Sequence, residues 1–282
     1  MQRSERHRAI VQAVSSGATV TVDALCALTG ASPITVRRDL TELAEHGSVR
    51  RVRGGATRAD ARGTLMPFSV RFETDRERKD ALAAVVAGLV ADHESLVLDN
   101  GTTCYAVARH LVGRPLTALA LSLHSAAALA ARPGVRTVVP GGPVETDTLA
   151  FTGSAALAAL ADVSCDVAVL GACAALPGTG LTSTTYEDAQ VKRACLRAAR
   201  RRVLVTTADK LVRTSTFRFG GVGDLTHLVT TDDVPDSVLA PFRAEGVQVH
   251  AVAAPARSGD RAGAAGWSAQ ETAVMRPSPP TG

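Results

Sequence analysis

Residues 30–56 read GASPITVRRDLTELAEHGSVRRVRGGA. Gly30 is typical of a turn between two helices, and Ser32 supplies a hydroxyl that can cap the next helix. Pro33 then occupies the first helical position, where the missing backbone N–H is not needed. The sequence therefore predicts a helix that begins after Ser32 and ends just before Gly47.

Two further helices are expected before this turn, and a hairpin is expected after it. Apolar residues recur at helical spacing over residues 5–16, and Asp23 is placed to cap a second short helix. Residues 49–52 alternate apolar residues with arginine until Arg53-Gly54-Gly55 breaks the pattern. Three helices followed by an arginine-rich hairpin predict a winged helix-turn-helix domain over residues 1–57.

The third predicted helix has one apolar face and one basic face. Val36, Leu40 and Leu43 fall within an arc of about 60° at 100° per residue, so they face a core while Arg38 points outward. In helix-turn-helix proteins this helix enters the major groove and the wing grips phosphates. A solvated charged face is the alternative, but the glycine turn and the arginine-rich hairpin favour DNA binding. The predicted DNA-binding residues are Ser32, Thr35, Arg37, Arg38, Thr41, Arg50, Arg51 and Arg53.

The formal net charge of +4 belongs entirely to this amino-terminal segment. Residues 1–58 hold nine arginines, no lysine and five acidic residues, whereas the other 22 basic and 22 acidic residues cancel. A basic module joined to a neutral one is the charge distribution expected of a protein that binds a polyanion with one end.

The rest of the chain has a different organisation. Residues 58–74 show no sustained periodicity and are expected to form a linker, whereas residues 75–92 have the apolar spacing of a helix. Short apolar runs that alternate with helical segments predict an α/β domain over residues 75–253, with a mostly parallel sheet. Gly, Ser, Pro and Ala dominate residues 254–282, which are expected to form a disordered tail. The seven predicted strands are residues 96–98, 116–121, 135–139, 167–170, 203–205, 228–230 and 247–252.

The first predicted strand of this domain leads into a glycine loop. Asp99-Asn100-Gly101-Thr102-Thr103 passes from the strand into a helix start, which aims backbone N–H groups at a bound anion such as a phosphate or carboxylate. Asp99 would repel such an anion, so it is assigned to a sugar hydroxyl or to holding the loop. An ordinary helix cap fits the same pattern and is the alternative interpretation.

These motifs resemble those of the DeoR family of bacterial transcription regulators. TVRRDL at residues 35–40 matches the family's DNA-reading helix, while Gly47, Val49, Arg51 and residues 54–56 match its wing. The family's sensor domain has D-x-G-T-T at the corresponding place and is related to ribose-5-phosphate isomerase. The resemblance implies a small winged helix-turn-helix domain followed by an isomerase-like, catalytically inactive α/β sensor.

The resemblance covers most of residues 76–250 and implies an effector site there. Three lysines are implied as partners of the anion, although each taken alone is better explained as a solvated surface side chain. The helix that carries Lys79 is expected to act as the lever between effector and DNA. The residues assigned to the effector are Lys79, Asp99, Gly101, Thr102, Thr103, Ser122, Gly141, Gly142, Lys192 and Lys210.

Two segments depart from the family pattern. Ala120-Leu121-Ser122 stands where the family commonly has T-N-S, so only the serine survives. The family's D-x-x-K appears as Thr207-Ala208-Asp209-Lys210, which keeps the lysine but moves the acid out of register. A less polar ligand, or a DNA-binding oligomeric regulator without any ligand, is therefore the alternative.

Sugar-phosphate isomerase activity is the competing hypothesis, and it requires a base near the substrate carbon. Related isomerases carry D-G-A-D-E after a strand, where residues 170–174 of this chain read LGACA. Glu187 and Asp188 belong to a different segment, and Cys173 has no histidine near it in sequence and is expected to be a buried thiol. The sequence therefore predicts a protein that is not an enzyme.

Other classes of site are not expected. Five cysteines without a C-x-x-C pair or zinc spacing predict mostly buried reduced thiols and no metal site. No apolar stretch reaches the roughly 18 residues of a membrane span, so a cytoplasmic location is expected. The prediction is a repressor that binds double-stranded operator DNA as a homo-oligomer, needs no cofactor, and responds to a small anionic metabolite such as a sugar phosphate.

Overall fold

The structure, a computed structural model, describes residues 2–14, 19–45, 49–58, 68–253 and 255. Most of the predicted linker, nearly all of the predicted tail and the expected helix end near Gly47 lie outside these ranges. None of the helices within them combines the length and the apolar composition that crossing a bilayer requires.

The amino-terminal part folds as helices packed on a small antiparallel sheet. Gly30 adopts a φ of 67° and ends the second helix in the left-handed conformation, with its N–H donating to the Cys26 carbonyl at 2.8 Å. Ile10, Leu25 and Leu43 are fully buried in the core of this part. The elements are α1 (Arg3–Val14), β1 (Val20–Thr21), α2 (Val22–Thr29), α3 (Pro33–Glu45), β2 (Val49–Val52) and β3 (Gly55–Arg58), and the sheet order is β1-β3-β2.

The N-cap of α2 differs from the prediction. Thr21 is the cap, because its Oγ1 accepts the N–H of Ala24 at 3.2 Å. The helix begins at Val22, so the predicted cap Asp23 lies inside the first turn. There its carboxylate still favours the positive end of the helix dipole.

Seven parallel strands form the sheet of the larger part, and each falls on one of the seven predicted runs. The strands of this part are β4 (Ser95–Leu98), β5 (Thr117–Ala120), β6 (Arg136–Val138), β7 (Cys165–Leu170), β8 (Ala174–Leu176), β9 (Gly180–Ser183), β10 (Ala199–Val205), β11 (Phe217–Gly220), β12 (His227–Thr231) and β13 (Gln248–Val252). The large sheet has the order β13-β12-β10-β7-β4-β5-β6.

This strand order fixes where a ligand can bind. β4 and β7 pair directly, yet the chain continues from β4 towards one edge of the sheet and from β7 towards the other. The crevice outside their carboxyl ends is therefore a topological switch point, the place where open α/β sheets bind ligands.

Helices cover both faces of the large sheet. Val169 and Leu170 are adjacent on β7 and point to opposite faces, and each joins a separate buried apolar cluster. One cluster includes Leu82 and Val107, and the other includes Phe242. The helices are α4 (Phe68–Glu73), α5 (Arg76–Gly88), α6 (Thr102–Leu111), α7 (Leu123–Leu129), α8 (Ser154–Ala161), α9 (Tyr186–Ala198) and α10 (Asp236–Ala244).

Two features were not predicted from the sequence. β8, β9 and β11 form a second, antiparallel sheet beside the large one, and α4 lies within the segment that was expected to be a linker. Strands of three or four residues and a helix of six residues are too short to establish a period of 2 or 3.6.

Candidate functional site

The amino end of α3 presents polar and cationic side chains at the surface. Arg37 and Arg38 are exposed, whereas Val36 between Thr35 and Arg37 is fully buried. Ser32 Oγ accepts the Thr35 N–H at 3.3 Å and lies 2.9 Å from the Thr35 hydroxyl, which holds the first turn of the helix. Both arginines are therefore accessible to a groove from the same helix face that the sequence indicated.

The wing is attached to this helix by a specific contact. Arg51 Nη1 donates to Thr41 Oγ1 at 2.8 Å, and the Thr41 hydroxyl donates to the Arg37 carbonyl at 2.9 Å. Arg50 and Arg53 are exposed, as is Arg51. Thr41 thus positions Arg51 of the wing beside α3, the helix that carries Arg37 and Arg38.

Ile34 is a surface residue that sequence reasoning missed. Its side chain is 79% exposed in the first turn of α3. Thymine methyl groups in the major groove offer an apolar contact to such a side chain. The sequence could have indicated this exposure, because Ile34 lies outside the helix face formed by Val36, Leu40 and Leu43.

Asp39, also missed, holds α1 against α3. It is buried and accepts hydrogen bonds from Arg6 Nε at 2.5 Å and from His7 Nε2 at 3.1 Å. Burial alone would raise the pKa of this carboxyl, but the hydrogen bonds from Arg6 and His7 outweigh burial and lower it. The orientation of the recognition helix therefore depends on a buried ion pair.

His7, Asp39 and Glu42 have ligand atoms within 4.8 Å of one another, a spacing that a metal ion can use. Arg6 already pairs with Asp39, and Arg3 pairs with Glu42. Because these guanidinium groups supply the compensating charge, the cluster is best described as an ion-pair network between α1 and α3.

The glycine loop lies at the switch point of the large sheet. Gly101 has a φ of 102° and is the N-cap of α6, which begins at Thr102. The Thr102 side chain is buried, and Thr103 is partly exposed. The amino end of α6 therefore lies at the carboxyl end of β4, next to β7, where an anion site would be placed.

Asp99 is part of a buried ion pair. Its carboxylate accepts a hydrogen bond from Lys192 Nζ, and it accepts the Gly171 N–H at 2.9 Å. Burial alone would lower the pKa of Lys192, but Asp188 and Asp99 outweigh it and raise it, which keeps the ammonium charged. Asp99 thus holds the ends of β4 and β7 together, which is one of the two roles expected from the sequence.

Asp188 joins this site although sequence reasoning set it aside. Its Oδ1 accepts a hydrogen bond from Asn100 Nδ2 at 2.7 Å and lies 3.5 Å from Lys192 Nζ, and its second oxygen accepts the Ser183 hydroxyl. The residues that meet come from the loop after β4, from β9 and from α9, and Asn100 and Asp188 are 88 positions apart. No local sequence pattern predicts a contact between residues so far apart in the chain.

Lys79 supports the neighbouring helix. Its ammonium is buried and donates to the carbonyl groups of Arg71 and Thr74, the latter at 2.7 Å. Burial lowers the pKa of Lys79 to about 8, and Lys210 is close enough to contribute. Lys79 therefore fixes the carboxyl end of α4 from α5.

Arg71 on α4 is another residue that sequence reasoning missed. Its Nη1 lies 3.8 Å from the position that a Cβ would take on Gly101. Burial lowers its pKa, while Cys173, Asp188 and Glu145 act in the opposite direction. A guanidinium group that stays charged thus lies beside the glycine loop.

Comparison with known proteins agrees with this arrangement. The DeoR-like helix-turn-helix domain matches residues 6–62, and the DeoR C-terminal sensor domain matches residues 74–232. The chain belongs to the DeoR family. Its relatives include the glycerol-3-phosphate regulon repressor of Haemophilus influenzae, 31% identical over 85% of this chain and 93% of that protein. The HTH-type transcriptional repressor GlcR of Bacillus subtilis is 28% identical over 84% of this chain and 91% of that protein.

Among solved structures, ribose-5-phosphate isomerase A from Methanocaldococcus jannaschii aligns with 49% of this chain and 55% of its own, at 17% identity and a TM-score of 0.36. The fold assignment rests on the strand order and on the two family matches. A DeoR-family member is a DNA-binding transcription regulator rather than an enzyme, as the sequence predicted.

Several residues predicted for the DeoR-family effector site have other contacts. Ser122 is buried and caps α7, with its Oγ accepting the Ser125 N–H at 3.2 Å. Gly141 and Gly142 lie in an exposed turn. Lys210 is partly exposed and lies 3.5 Å from Asp209. A contact between any of them and an effector stays a prediction.

Two expectations about side-chain exposure were wrong. Lys79 and Lys192 are buried and paired, because each satisfies acceptors that the fold brings together, so neither is a solvated surface lysine. Cys173 is partly exposed, with its sulfur 3.9 Å from the Ser183 hydroxyl, so it is not a fully buried thiol. It lies in the short connection between β7 and β8.

Proposed function

We propose that the chain represses transcription by placing α3 in the major groove of an operator while the wing grips the adjacent phosphates. Exposed Arg37 and Arg38 are suited to guanine acceptors, and Arg50, Arg51 and Arg53 to backbone phosphates. The relatives that are named repressors support the sign of the regulation.

The effector in this proposal is a small anionic metabolite such as a sugar phosphate, bound at the glycine loop. The observation that carries it is that the Arg71 guanidinium lies beside the glycine loop, at the amino end of the helix that begins with Thr102 and Thr103. A relative named for the glycerol-3-phosphate regulon supports this ligand class. The ion pair with Lys192 offsets the charge of Asp99 and so reduces its repulsion of an anion.

The working unit in this proposal is a homo-oligomer. One winged helix-turn-helix domain offers few base contacts. Two such domains, each on one half-site of the operator, are therefore needed for specific binding. We retain the predicted division into a head over residues 1–57, a linker over 58–74, a sensor over 75–253 and a tail over 254–282.

The test begins with DNA selected from a random pool by the full-length protein. Fluorescence anisotropy then gives the operator Kd with and without sn-glycerol 3-phosphate, ribose 5-phosphate and their unphosphorylated counterparts. We expect at least one phosphate to weaken operator binding and to raise the thermal unfolding midpoint. Light scattering after size exclusion measures the oligomer. A monomer that binds its operator specifically, or a regulator indifferent to every phosphate, contradicts the corresponding part of the proposal.

A regulator without a ligand is the second candidate, and one observation favours it. Ala120, Leu121 and Ser122 are all buried, and the Ser122 hydroxyl is occupied by the cap of α7. This loop therefore offers the crevice fewer polar groups than the family pattern. Unchanged operator binding with the whole panel, together with an unchanged unfolding midpoint, favours this second function.

A further inference from the structure

Arg71 stands at the meeting point of the head and the sensor. It belongs to α4, and α4 packs against α1 of the DNA-binding part and against α6 of the sensor. The same short helix thus touches the element that supports α3 and the element that begins at the glycine loop.

α4 is held in this position by contacts on both of its ends. The Phe68 ring stacks on His124 with centroids 3.8 Å apart, and Phe72 packs edge-on against Tyr105 at 5.6 Å. At its carboxyl end, Lys79 donates to the carbonyl groups of Arg71 and Thr74. α5 is therefore connected to α1 through α4, which places α4 between the predicted Lys79 lever and the head.

The Arg71 side chain points from this helix into the switch-point crevice. Its Nη1 lies 3.8 Å from the Cβ position of Gly101, and Asp188, Glu145 and Cys173 are close enough to influence its charge. A guanidinium group offers two parallel N–H donors to a phosphate or carboxylate. Asp188 and Glu145 already attract the Arg71 guanidinium. An anion that enters the crevice therefore competes with these carboxylates for Arg71.

We propose that Arg71 binds the anionic group of the effector and that its engagement shifts α4 against α1, so that this one residue both selects charged ligands and transmits their binding to the DNA-binding head. This inference rests on the proposed effector site. A neutral sugar does not engage the guanidinium and therefore leaves α4 in place, which is how the same contact gives both selectivity and coupling.

Three variants of the full-length protein test this role. Arg71→Gln removes the charge and the paired donors, and Arg71→Lys keeps the charge but loses the fork. Arg109→Gln is the matched control, because Arg109 is an exposed arginine near the end of α6. Thermal unfolding first establishes that each variant is folded. If Arg71→Gln is not folded, Arg71→Lys provides the test of this role.

Calorimetry measures the affinity for sn-glycerol 3-phosphate, ribose 5-phosphate and their unphosphorylated counterparts. Anisotropy measures the operator Kd without effector and with saturating effector, and the ratio of the two is the coupling. Wild type and Arg109→Gln should show a coupling of about 5- to 150-fold, the usual range for allosteric proteins. Arg71→Gln should lose about tenfold or more in phosphate affinity, lose its preference for phosphorylated over free sugar, and show a ratio close to one even at saturation. Arg71→Lys should be intermediate in affinity.

The outcomes are distinguishable. If wild type responds to a phosphate and Arg71→Gln responds with the same affinity and coupling, the inference is wrong while the proposed function stands. Lost affinity with full coupling at saturation also overturns it, because α4 would then not transmit binding. If wild type responds to no phosphate, the proposed effector site fails and this inference fails with it.

Discussion

The two halves of this regulator use charge in opposite ways. In the head, the arginines of α3 and the wing are exposed to solvent, and Asp39 supports them from beneath. In the sensor, Lys192 is buried against Asp99 and Lys79 is buried against backbone carbonyls. A surface that binds a polyanion must keep its cations accessible, whereas a crevice that admits one small ligand can use buried charges to fix its walls.

A sequence pattern can assign exposed charged residues more readily than buried ones. An exposed cation needs only the right helix face, which periodicity reveals. A buried cation needs a partner, and the partner comes from a distant segment. Substitutions of exposed and of buried charged residues should therefore have different effects.

The largest effect is expected from Asp99→Asn, which removes the buried carboxylate that is hydrogen-bonded to Lys192. Removing one member of a buried ion pair costs about 3–5 kcal/mol, so urea unfolding should show a loss of that size. Asp236→Asn is the control, because Asp236 pairs with Arg243 at the surface, where such pairs contribute about 0–1 kcal/mol. If Asp99→Asn loses no more stability than Asp236→Asn, the buried Asp99–Lys192 pair contributes no more than a surface ion pair.

A smaller effect on a different property is expected from Arg38→Ala. Losing a bidentate guanine contact should weaken cognate operator binding by about 1–3 kcal/mol and relax the preference at one base pair. Arg51→Ala should weaken cognate and random DNA alike, because the contact proposed for Arg51 is with phosphate. Arg132→Ala removes an exposed arginine of the sensor and should change neither. Mobility-shift titrations decide this, and an equal loss on both DNAs for Arg38→Ala contradicts a base contact.

Thr102→Val tests the sensor side of the comparison. The substitution keeps the volume but removes one hydroxyl at the amino end of α6. If that hydroxyl donates to a phosphate, effector affinity should fall by about 1.5 kcal/mol, the lower end for a hydrogen bond to a charged group. Thr117→Val at the exposed start of β5 is the control. Calorimetry that shows undiminished phosphate binding by Thr102→Val removes this loop as the effector site.

The smallest expected effect is a difference in the pH dependence of stability. Burial lowers the pKa values of His124 and His227 in the sensor. Since the unfolded chain then binds more protons, the sensor should lose stability as the pH falls from 7 through about 6.5 towards the folded pKa values. In the head, the lowered pKa of Asp39 makes its contribution complete above about 3.9 and lost only as the pH falls below that.

Hydrogen exchange between pH 7 and pH 5, corrected for intrinsic rates, measures the two parts separately. Opening should increase around α7 and β12 and stay unchanged where α1 meets α3. His124→Gln together with His227→Gln should abolish the sensor's response. A response that survives in this double variant assigns the pH dependence to other groups.

The helices of the amino-terminal part, the seven strands of the large sheet and the basic face of α3 were determined by the sequence alone. Ser32, Pro33 and Gly30 define α3 and its turn through contacts within four residues, and the seven apolar runs became the seven strands of the large sheet. Caps, turns and hydrophobic periods act over such short distances that they are written in adjacent residues.

The walls of the switch-point crevice were decided by the tertiary structure. Asn100 meets Asp188, Asp99 meets Lys192, and Arg71 reaches Gly101 only because β4 and β7 lie side by side and α4 folds back onto α6. These partners are separated by 30 to 93 positions, and the sequence carries no period over such intervals. Strand order and packing bring them together, because a buried charge is stable only where the fold delivers its counter-charge.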